Sequence, residues 1–232
     1  MTVELLDNIV WNSLAGPHAA FSAGTSDARR YAKGFSPIVG FANAERPDFA
    51  ALDAYCEPGE HFYCAGWTGG TSPGWQIDAD TTGHQMVWDA PLPAPDDALA
   101  AIRLETHHVP QMEELVAIKP PGPFAPRTIE LGEYYGVFDG GRGGNGGRLV
   151  AMAGERMQAG TFREISGVCT HPDFQGRGYA RRLMMKLVRL EMQRGQTPFL
   201  HVMRDNVHAR GLYERMGFHD HRQMALRVVS RL

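Results

Sequence analysis

The segment that most constrains the fold is residues 162–194, FREISGVCTHPDFQGRGYARRLMMKLVRLEMQR. Its first part, residues 162–170, carries Ile165, Val168 and Cys169, which suit a buried pleated surface, and the following Pro172 ends a strand because proline cannot donate to a ladder. The apolar residues then change to a helical period. They are Ala180, Leu183, Met184, Leu187, Val188 and Leu190. The segment therefore predicts a strand, a short polar loop and a long amphipathic helix.

The loop at residues 175–180, QGRGYA, has the composition of an anion site. It offers successive backbone N–H groups at a helix N-terminus, and its glycines let a ligand approach the main chain closely. Arg177, Arg181 and Arg182 crowd the first turns, where each cation opposes the helix dipole at a cost of ~0.3–1 kcal/mol. Bound phosphates would neutralise this cluster. A solvated basic face on a surface helix is the alternative.

Two common phosphate loops do not fit these residues. No Gly-Lys-Ser/Thr follows, as a P-loop requires, and no third glycine stands at the spacing of a dinucleotide-binding fingerprint. What remains is Gln175-x-x-Gly178-x-Ala180. This pattern resembles the Arg/Gln-x-x-Gly-x-Gly/Ala signature of the GNAT superfamily of N-acetyltransferases.

A second motif strengthens the resemblance. Residues 197–202, TPFLHV, predict a strand, and residues 204–218 predict a helix that begins at the N-cap Asn206 and ends at Gly217. This order is similar to the second cofactor motif of the same superfamily, in which an Asn-started helix carries a tyrosine, here Tyr213, and ends in Gly-Phe.

The resemblance covers residues 98–232 and implies the GNAT fold, an α/β protein with a mixed sheet flanked by helices. Strands are predicted at residues 98–105, 133–138, 148–157, 162–170, 198–203 and 221–229, with a further helix at 110–118. The glycine-rich residues 139–147 lead into a strand rather than a helix, which favours a hairpin tip over a second phosphate loop.

Residues 1–97 are predicted to form a smaller α+β accessory region. Short strands at residues 61–66, 75–77 and 85–88 are separated by glycine turns, including one at 82–83. The prolines at 91, 93 and 95 predict a stiff connector and a domain boundary. All four tryptophans lie in this region, where they form its core or line a substrate cleft. They are Trp11, Trp67, Trp75 and Trp88.

Composition narrows the class of protein. The 232 residues are 43% hydrophobic with a net charge of −3, so no broad basic field favours nucleic acid or an anionic membrane. Cys56, Cys64 and Cys169 are an odd number without metal spacing, which predicts free thiols in a reducing cytoplasm. His107-His108 are adjacent and expected to face different directions, so no metal site is predicted.

The resemblance also implies roles for individual residues toward acetyl-CoA. The pyrophosphate would rest on the amides of residues 175–180, with Arg181 nearby. The pantetheine would pair with residues 168–170, and a backbone N–H near Val168 would polarise the thioester. The implied cofactor-binding residues are Val168, Cys169, Thr170, Gln175, Gly176, Arg177, Gly178, Tyr179, Ala180, Arg181 and Asn206, although capping explains Asn206 equally well.

Two catalytic candidates follow from the same resemblance. Tyr213 matches the tyrosine that protonates the departing thiolate, and its alternative role is a core position on an apolar helix face. Glu164, on the predicted central strand, is a candidate general base whose pKa is expected to rise on burial; a structural hydrogen-bonding role is the alternative.

The predicted function is acetyl-CoA-dependent N-acetyl transfer, directly in a ternary complex, to a small amine, an amino acid or a protein amino group. A homodimer is a further expectation. The alternatives are transfer of another acyl group, a non-catalytic acyl-CoA sensor, or an N-terminal module that recruits a partner. A cysteine hydrolase is disfavoured because Cys169 has no His and Asp companions in motif context.

Overall fold

A computed structural model describes residues 4–140 and 147–232 of the chain. The strands are β1 Ser22–Gly24, β2 Ala28–Tyr31, β3 Val39–Phe41, β4 His61–Ala65, β5 Trp75–Trp88, β6 Ala101–Arg103, β7 Tyr134–Phe138, β8 Leu149–Ala159, β9 Phe162–Thr170, β10 Thr197–Met203 and β11 Phe218–Arg231. The α-helices are α1 Glu4–Asp7, α2 Ile9–Leu14, α3 Val109–Ile118, α4 Tyr179–Gln193 and α5 Val207–Met216. Short 3-10 helices complete the chain, among them Ala50–Tyr55 and Pro126–Leu131.

In the described part of the chain, eight strands form one mixed sheet in the order β4-β11-β5-β10-β9-β8-β7-β6. Within the described residues, β9 and β10 are its parallel pair, and the other neighbours run antiparallel. Strands β1 to β3 form a separate small sheet. The predicted α/β architecture with a mixed sheet is confirmed.

The two faces of the large sheet are covered differently. Along β10, Leu200 and Val202 pack with the buried residues of α4, whereas Phe199 packs with α2 on the opposite face. Helix α3 covers β7 and β8 on this second face. The amphipathic helix predicted after residue 178 therefore buries its apolar stripe against the central strands.

Strand β5 corrects one prediction. Residues 75–77 and 85–88 are not two strands separated by a turn at 82–83, because Trp75–Trp88 is continuous and pairs with β11 along its length. A Cβ on Gly83 would lie 2.4 Å from Cδ1 of Leu226 and 2.9 Å from the carbonyl oxygen of Val202. This glycine serves close packing between strands rather than chain reversal.

The accessory region shares the large sheet with residues 98–232. Strand β5 lies between β10 and β11, and β4 pairs with the outer edge of β11. The connector packs along α4, where Arg182 Nε and Nη2 donate to Asp96 at 2.6 and 2.8 Å and Arg189 Nη1 donates to the carbonyl of Pro93 at 2.6 Å. A domain boundary at residue 97 stays a prediction, and the sheet crosses it.

Three of the tryptophans belong to the packed interior. Trp67 and Trp75 lie in the cluster around the small sheet, and Trp88 packs under α4 and α5.

The rings of His107 and His108 do not diverge as expected, since their centroids are 3.8 Å apart. His108 Nδ1 accepts the backbone N–H of Glu105 and closes the turn before α3.

Three further observations concern the described ranges only. None of their helices combines the length and apolar character that crossing a membrane takes. No group of three or more His, Cys, Asp or Glu side chains in them is arranged to hold a metal ion. The predicted hairpin tip at residues 139–147 lies largely outside the described part of the chain.

Candidate active site

The two parallel strands part at the centre of the sheet. Strand β9 pairs with β10 only at residues 162–164 and 197–199, where Glu164 stands opposite Phe199. Beyond this point β9 continues to Thr170 and β10 to Met203 with no pairing between them. The facing edges therefore carry backbone groups that an extended ligand can pair with.

A β-bulge interrupts β9 beside this opening. Met152 stands opposite Cys169 and Gly154 opposite Ser166, so Gly167 and Val168 together face one residue of β8. Gly167 has a φ of 63°, in the region that favours glycine. Because a bulge leaves its extra residue out of the ladder, the geometry suits the predicted free N–H near Val168.

The glycine loop leads directly into α4. Gly176 and Gly178 both have φ of 75°, and Gly178 is the N-cap residue of the helix. A Cβ on either glycine would meet no heavy atom of the described residues within 4 Å, so neither glycine is packed against them. The first N–H groups of α4 have no intrahelical partner, and together with the helix dipole they favour an anion here. The loop fits a phosphate group.

The three arginines at the start of α4, one in the loop and two in the first turn of the helix, differ in their surroundings. Arg177 lies over the ring of Phe174 at 4.5 Å, and Arg181 is exposed. Arg182 already has a counter-ion, because Asp96 binds it through both carboxylate oxygens. The expectation of three unneutralised cations is therefore wrong for Arg182, whose charge serves the connector.

The side chains of residues 168–170 do not share one environment. The thiol of Cys169 is buried among α3 residues, and burial raises its pKa to about 12, so it stays neutral. Val168 is half-buried on the α4 side of the sheet. Ligand pairing with this segment would therefore use backbone groups, as expected from the resemblance.

Tyr213 lies on α5 with its ring edge-on to Phe218 at 6.2 Å, and it packs against the core under α4 and α5. Burial raises the pKa of its phenol to about 12, so the hydroxyl is protonated at neutral pH and can donate a proton. Asn206 Oδ1 accepts the backbone N–H of Ala209 at 3.2 Å, which makes it a true N-cap.

Glu164 does not meet the expectation for a general base. Arg156 Nε and Nη2 donate to its carboxylate at 2.8 and 2.7 Å, and His201 Nδ1 donates at 2.8 Å. Burial alone would raise the pKa of Glu164, but the Arg156 charge and these hydrogen bonds outweigh it and hold the pKa well below the usual range. The predicted rise in pKa is wrong, and the geometry supports the structural alternative.

His201 and Gln85 complete this buried network, and neither belongs to a recognisable sequence motif. Gln85 Nε2 donates to Leu6 and lies 3.2 Å from His201 Nε2, while Gln85 Oε1 accepts from Arg222 Nε at 3.2 Å. The amide orientation makes His201 Nε2 an acceptor, so its proton is on Nδ1. No signal in the sequence connects residues that lie on separate strands.

The loop at residues 119–125 packs on the α3 face of the large sheet, opposite α4. The carbonyl of Pro123 accepts from Ser36 Oγ at 3.1 Å and from Arg156 Nη1 at 3.3 Å, and Ser36 Oγ lies 2.9 Å from Thr128 Oγ1. Ser36 of the accessory region and Arg156, the partner of Glu164, thus both hold this loop through the carbonyl of Pro123.

Known proteins share this architecture. The family model of FR47-like proteins matches residues 136–228. The N-alpha-acetyltransferase RimI of Mycobacterium tuberculosis is 37% identical over 101 residues, which are 42% of this chain and 61% of that protein. The chain thus spans less than two thirds of that relative.

Solved structures extend the match to the whole chain. An acetyltransferase assigned to the GNAT family, from Novosphingobium aromaticivorans, is 33% identical with a TM-score of 0.87 and 98% coverage of both chains. A GCN5-related N-acetyltransferase-like protein from Streptococcus suis is 13% identical, with a TM-score of 0.60 over 97% of this chain and 92% of that one; it shows the fold alone. From the first of these matches, together with the parted strands and the glycine loop, it follows that the chain belongs to the GNAT family of acetyltransferases.

Proposed function

We propose that the protein transfers the acetyl group of acetyl-CoA directly to a primary amine. One observation carries this proposal. The strands β9 and β10 part beside a bulge at Gly167, and the same edge of the sheet leads into a glycine loop at a helix N-terminus. An extended molecule with a phosphate group fits this combination of a free strand edge and an anion site.

Different residues of the site serve cofactor binding and acyl transfer. When bound, acetyl-CoA supplies an activated thioester. The backbone amides of residues 175–180 bind the pyrophosphate, and the edge of residues 168–170 pairs with the pantetheine. The N–H near Val168 stabilises negative charge on the carbonyl oxygen. Tyr213 donates its proton to the departing thiolate.

A protein α-amino group is the favoured acceptor. The relative from Mycobacterium tuberculosis is an N-alpha-acetyltransferase. A free α-amine is less basic than a lysine amine, with a pKa near 8 against about 10.4, so a larger fraction is ready to attack at neutral pH. This difference reduces the need for a strong base, which Glu164 does not provide.

Calorimetry tests the cofactor half of the proposal. The protein is titrated with acetyl-CoA, CoA and succinyl-CoA, and micromolar binding of acetyl-CoA is expected. The variant Gly178→Glu should lose binding, because bulk and negative charge replace an open anion site. Gly195→Glu is the matched control, since Gly195 also has a positive φ of 71° and open surroundings but follows the far end of α4.

Mass spectrometry tests the acceptor half. Peptides with a free α-amine, the same peptides with a blocked N-terminus and an internal lysine, and small amines are incubated with acetyl-CoA. Acetylation of the first group is expected. Binding without transfer to any amine would favour the sensor alternative, and absence of binding by every acyl-CoA would overturn the proposal.

A further inference from the structure

A buried hydroxyl without a partner lies next to the bulge of β9. Tyr134, at the start of β7, is 1% exposed, and within residues 4–140 and 147–232 its phenol oxygen has no hydrogen-bond partner. Leaving a buried hydroxyl unsatisfied costs about 1–3 kcal/mol. Such a group in a native fold calls for an explanation, and catalysis is one.

Two glycines make this position of Tyr134 possible. The ring stands opposite Gly154 in the register of β7 and β8, and a Cβ there would lie 2.3 Å from the ring carbons Cγ and Cδ1. On the next strand, a Cβ on Gly167 would lie 2.9 Å from Cε1 and 3.2 Å from the hydroxyl oxygen. The side chain therefore crosses β8 and brings its hydroxyl to the bulge.

The hydroxyl lies on the face that the loop at residues 119–125 covers. The ring of Phe124, in this loop, is edge-on to Tyr134 at 6.0 Å, and Tyr134 packs with Cys169 and the α3 residues. The hydroxyl is next to Gly167, whose successor Val168 carries the amide assigned to the acyl carbonyl. The hydroxyl and this amide therefore belong to the same bulge of β9.

We propose that the Tyr134 hydroxyl donates a second hydrogen bond to the acyl carbonyl oxygen, beside the amide of Val168. This inference rests on the proposed function. As the acceptor nitrogen forms its bond to the carbonyl carbon, one electron pair moves to that oxygen, and it returns when the carbon–sulfur bond breaks. The proton of Tyr134 stays on its oxygen throughout. Tyr213 protonates the thiolate, and the proton that the acceptor nitrogen loses as the amide forms returns Tyr213 to its neutral state.

The protonation state of Tyr134 agrees with this role. Burial raises the pKa of the phenol well above its usual value, against the opposing charge of Arg156, and Glu164 adds to the rise. The hydroxyl therefore keeps its hydrogen across the physiological pH range. A donor held in a water-poor site by two glycines and a neighbouring ring is preorganised for charge that develops in the transition state.

The variant Tyr134→Phe separates this role from a structural one. If the hydroxyl serves the carbonyl oxygen, kcat falls by about 10²-fold, the range reported for loss of one such donor, while the Kd of acetyl-CoA changes little. The midpoint of thermal unfolding should stay equal or rise, because an unsatisfied buried hydroxyl is removed. Full turnover in this variant would overturn the proposal.

Tyr135→Phe is the matched control. Tyr135 is the next residue of β7, points to the opposite face, and binds Glu133 Oε2 through its hydroxyl at 3.2 Å. Its loss should leave kcat within a factor of two of wild type. A decrease equal to that of Tyr134→Phe would assign the effect to the strand rather than to the hydroxyl, and would count against the proposal.

Infrared spectroscopy detects the hydrogen bond from Tyr134 to the acyl carbonyl without any turnover. With acetyl-CoA labelled with ¹³C at the carbonyl, Tyr134→Phe should move the bound carbonyl stretch to higher wavenumber than in wild type. An unchanged stretch overturns the inference alone, whereas wild-type protein that binds no acetyl-CoA overturns the proposed function. If Tyr134→Phe does not fold, 3-fluorotyrosine at this position, a stronger donor, should lower the stretch, and no shift is again the contrary result.

Discussion

The charges around a buried carboxyl group decide in which direction its pKa moves. Glu164 and Glu191 are both buried carboxylates, yet their pKa values move in opposite directions. Burial raises the pKa of Glu191, and the nearby charge of Glu155 adds to the rise, whereas Arg156 reverses the effect of burial at Glu164. Within the described residues neither oxygen of Glu191 has a hydrogen-bond partner. Glu164 is thus held in its ionised form, whereas the pKa of Glu191 is shifted toward its neutral form.

This contrast predicts unequal costs for the same substitution. Glu164→Gln should lower the free energy of unfolding by about 3–5 kcal/mol, because the buried Arg156 guanidinium loses its counter-charge. Glu191→Gln places a neutral amide where burial already disfavours the ionised carboxyl group, so it should change the free energy of unfolding by less than about 1 kcal/mol. Urea denaturation at pH 7 measures both, and equal losses would contradict the assignment of charge.

The buried His18 predicts that the free energy of unfolding depends on pH. Burial lowers the pKa of His18 to about 4, and the Arg163 charge contributes; Tyr31 and Ser13 surround its Nδ1 at 2.8 and 3.1 Å. The unfolded histidine, with a pKa near 6.5, binds its proton first, so stability falls as the pH drops from about 6.5 to 4, by roughly 3 kcal/mol. Glu164 contributes its own loss only below about pH 4.5, where the unfolded carboxyl takes up its proton.

The variant His18→Gln tests this window. Its free energy of unfolding should vary less between pH 6.5 and 4 than that of wild type, although it is lower at pH 7 because the hydrogen bonds to Tyr31 and Ser13 change. Parallel curves for the two proteins across this window would show that another group titrates.

Strand β5 shows that a local sequence pattern can predict the wrong secondary structure. The Thr82-Gly83 pair has turn chemistry, but Gly83 lies in mid-strand beneath Leu226. Gly83→Val should destabilise the protein by about 1–3 kcal/mol or more, because the added carbons meet the backbone oxygen of Val202, which cannot move alone. Gly70→Val is the control, since a Cβ there meets nothing within 4 Å. Thermal unfolding measures both, and a harmless Gly83→Val would restore the turn interpretation.

The whole molecule shows why the two regions depend on each other. Strand β5 lies between β10 and β11, and β4 pairs with the other edge of β11. Removing residues 1–97 would therefore expose one edge of β10 and both edges of β11. We expect residues 98–232 alone not to fold, as judged by circular dichroism and acetyl-CoA binding. Co-expression of residues 1–97 with 98–232 should restore both signals. A folded, cofactor-binding 98–232 fragment would instead support an independent domain with the predicted boundary.

The local patterns were sufficient for the elements around the glycine loop. Residues 162–170 are the strand as predicted, Gly178 starts α4, and Asn206 and Gly217 cap α5 as their side-chain chemistry requires. These features depend on residues close together in the chain. The family resemblance carried by the loop and by Tyr213 therefore predicts the cofactor side of the candidate site from local sequence alone.

The amino-acid sequence by itself determined the strand, glycine loop and helix that define the family, because hydrophobic period, glycine conformations and helix caps are local properties. Only the tertiary structure decided that β5 completes the sheet, that Arg156 and His201 keep Glu164 ionised, and that Tyr134 reaches the bulge across Gly154. Each of these depends on residues far apart in the chain, and burial, pairing and charge at such positions exist only once the strands have come together.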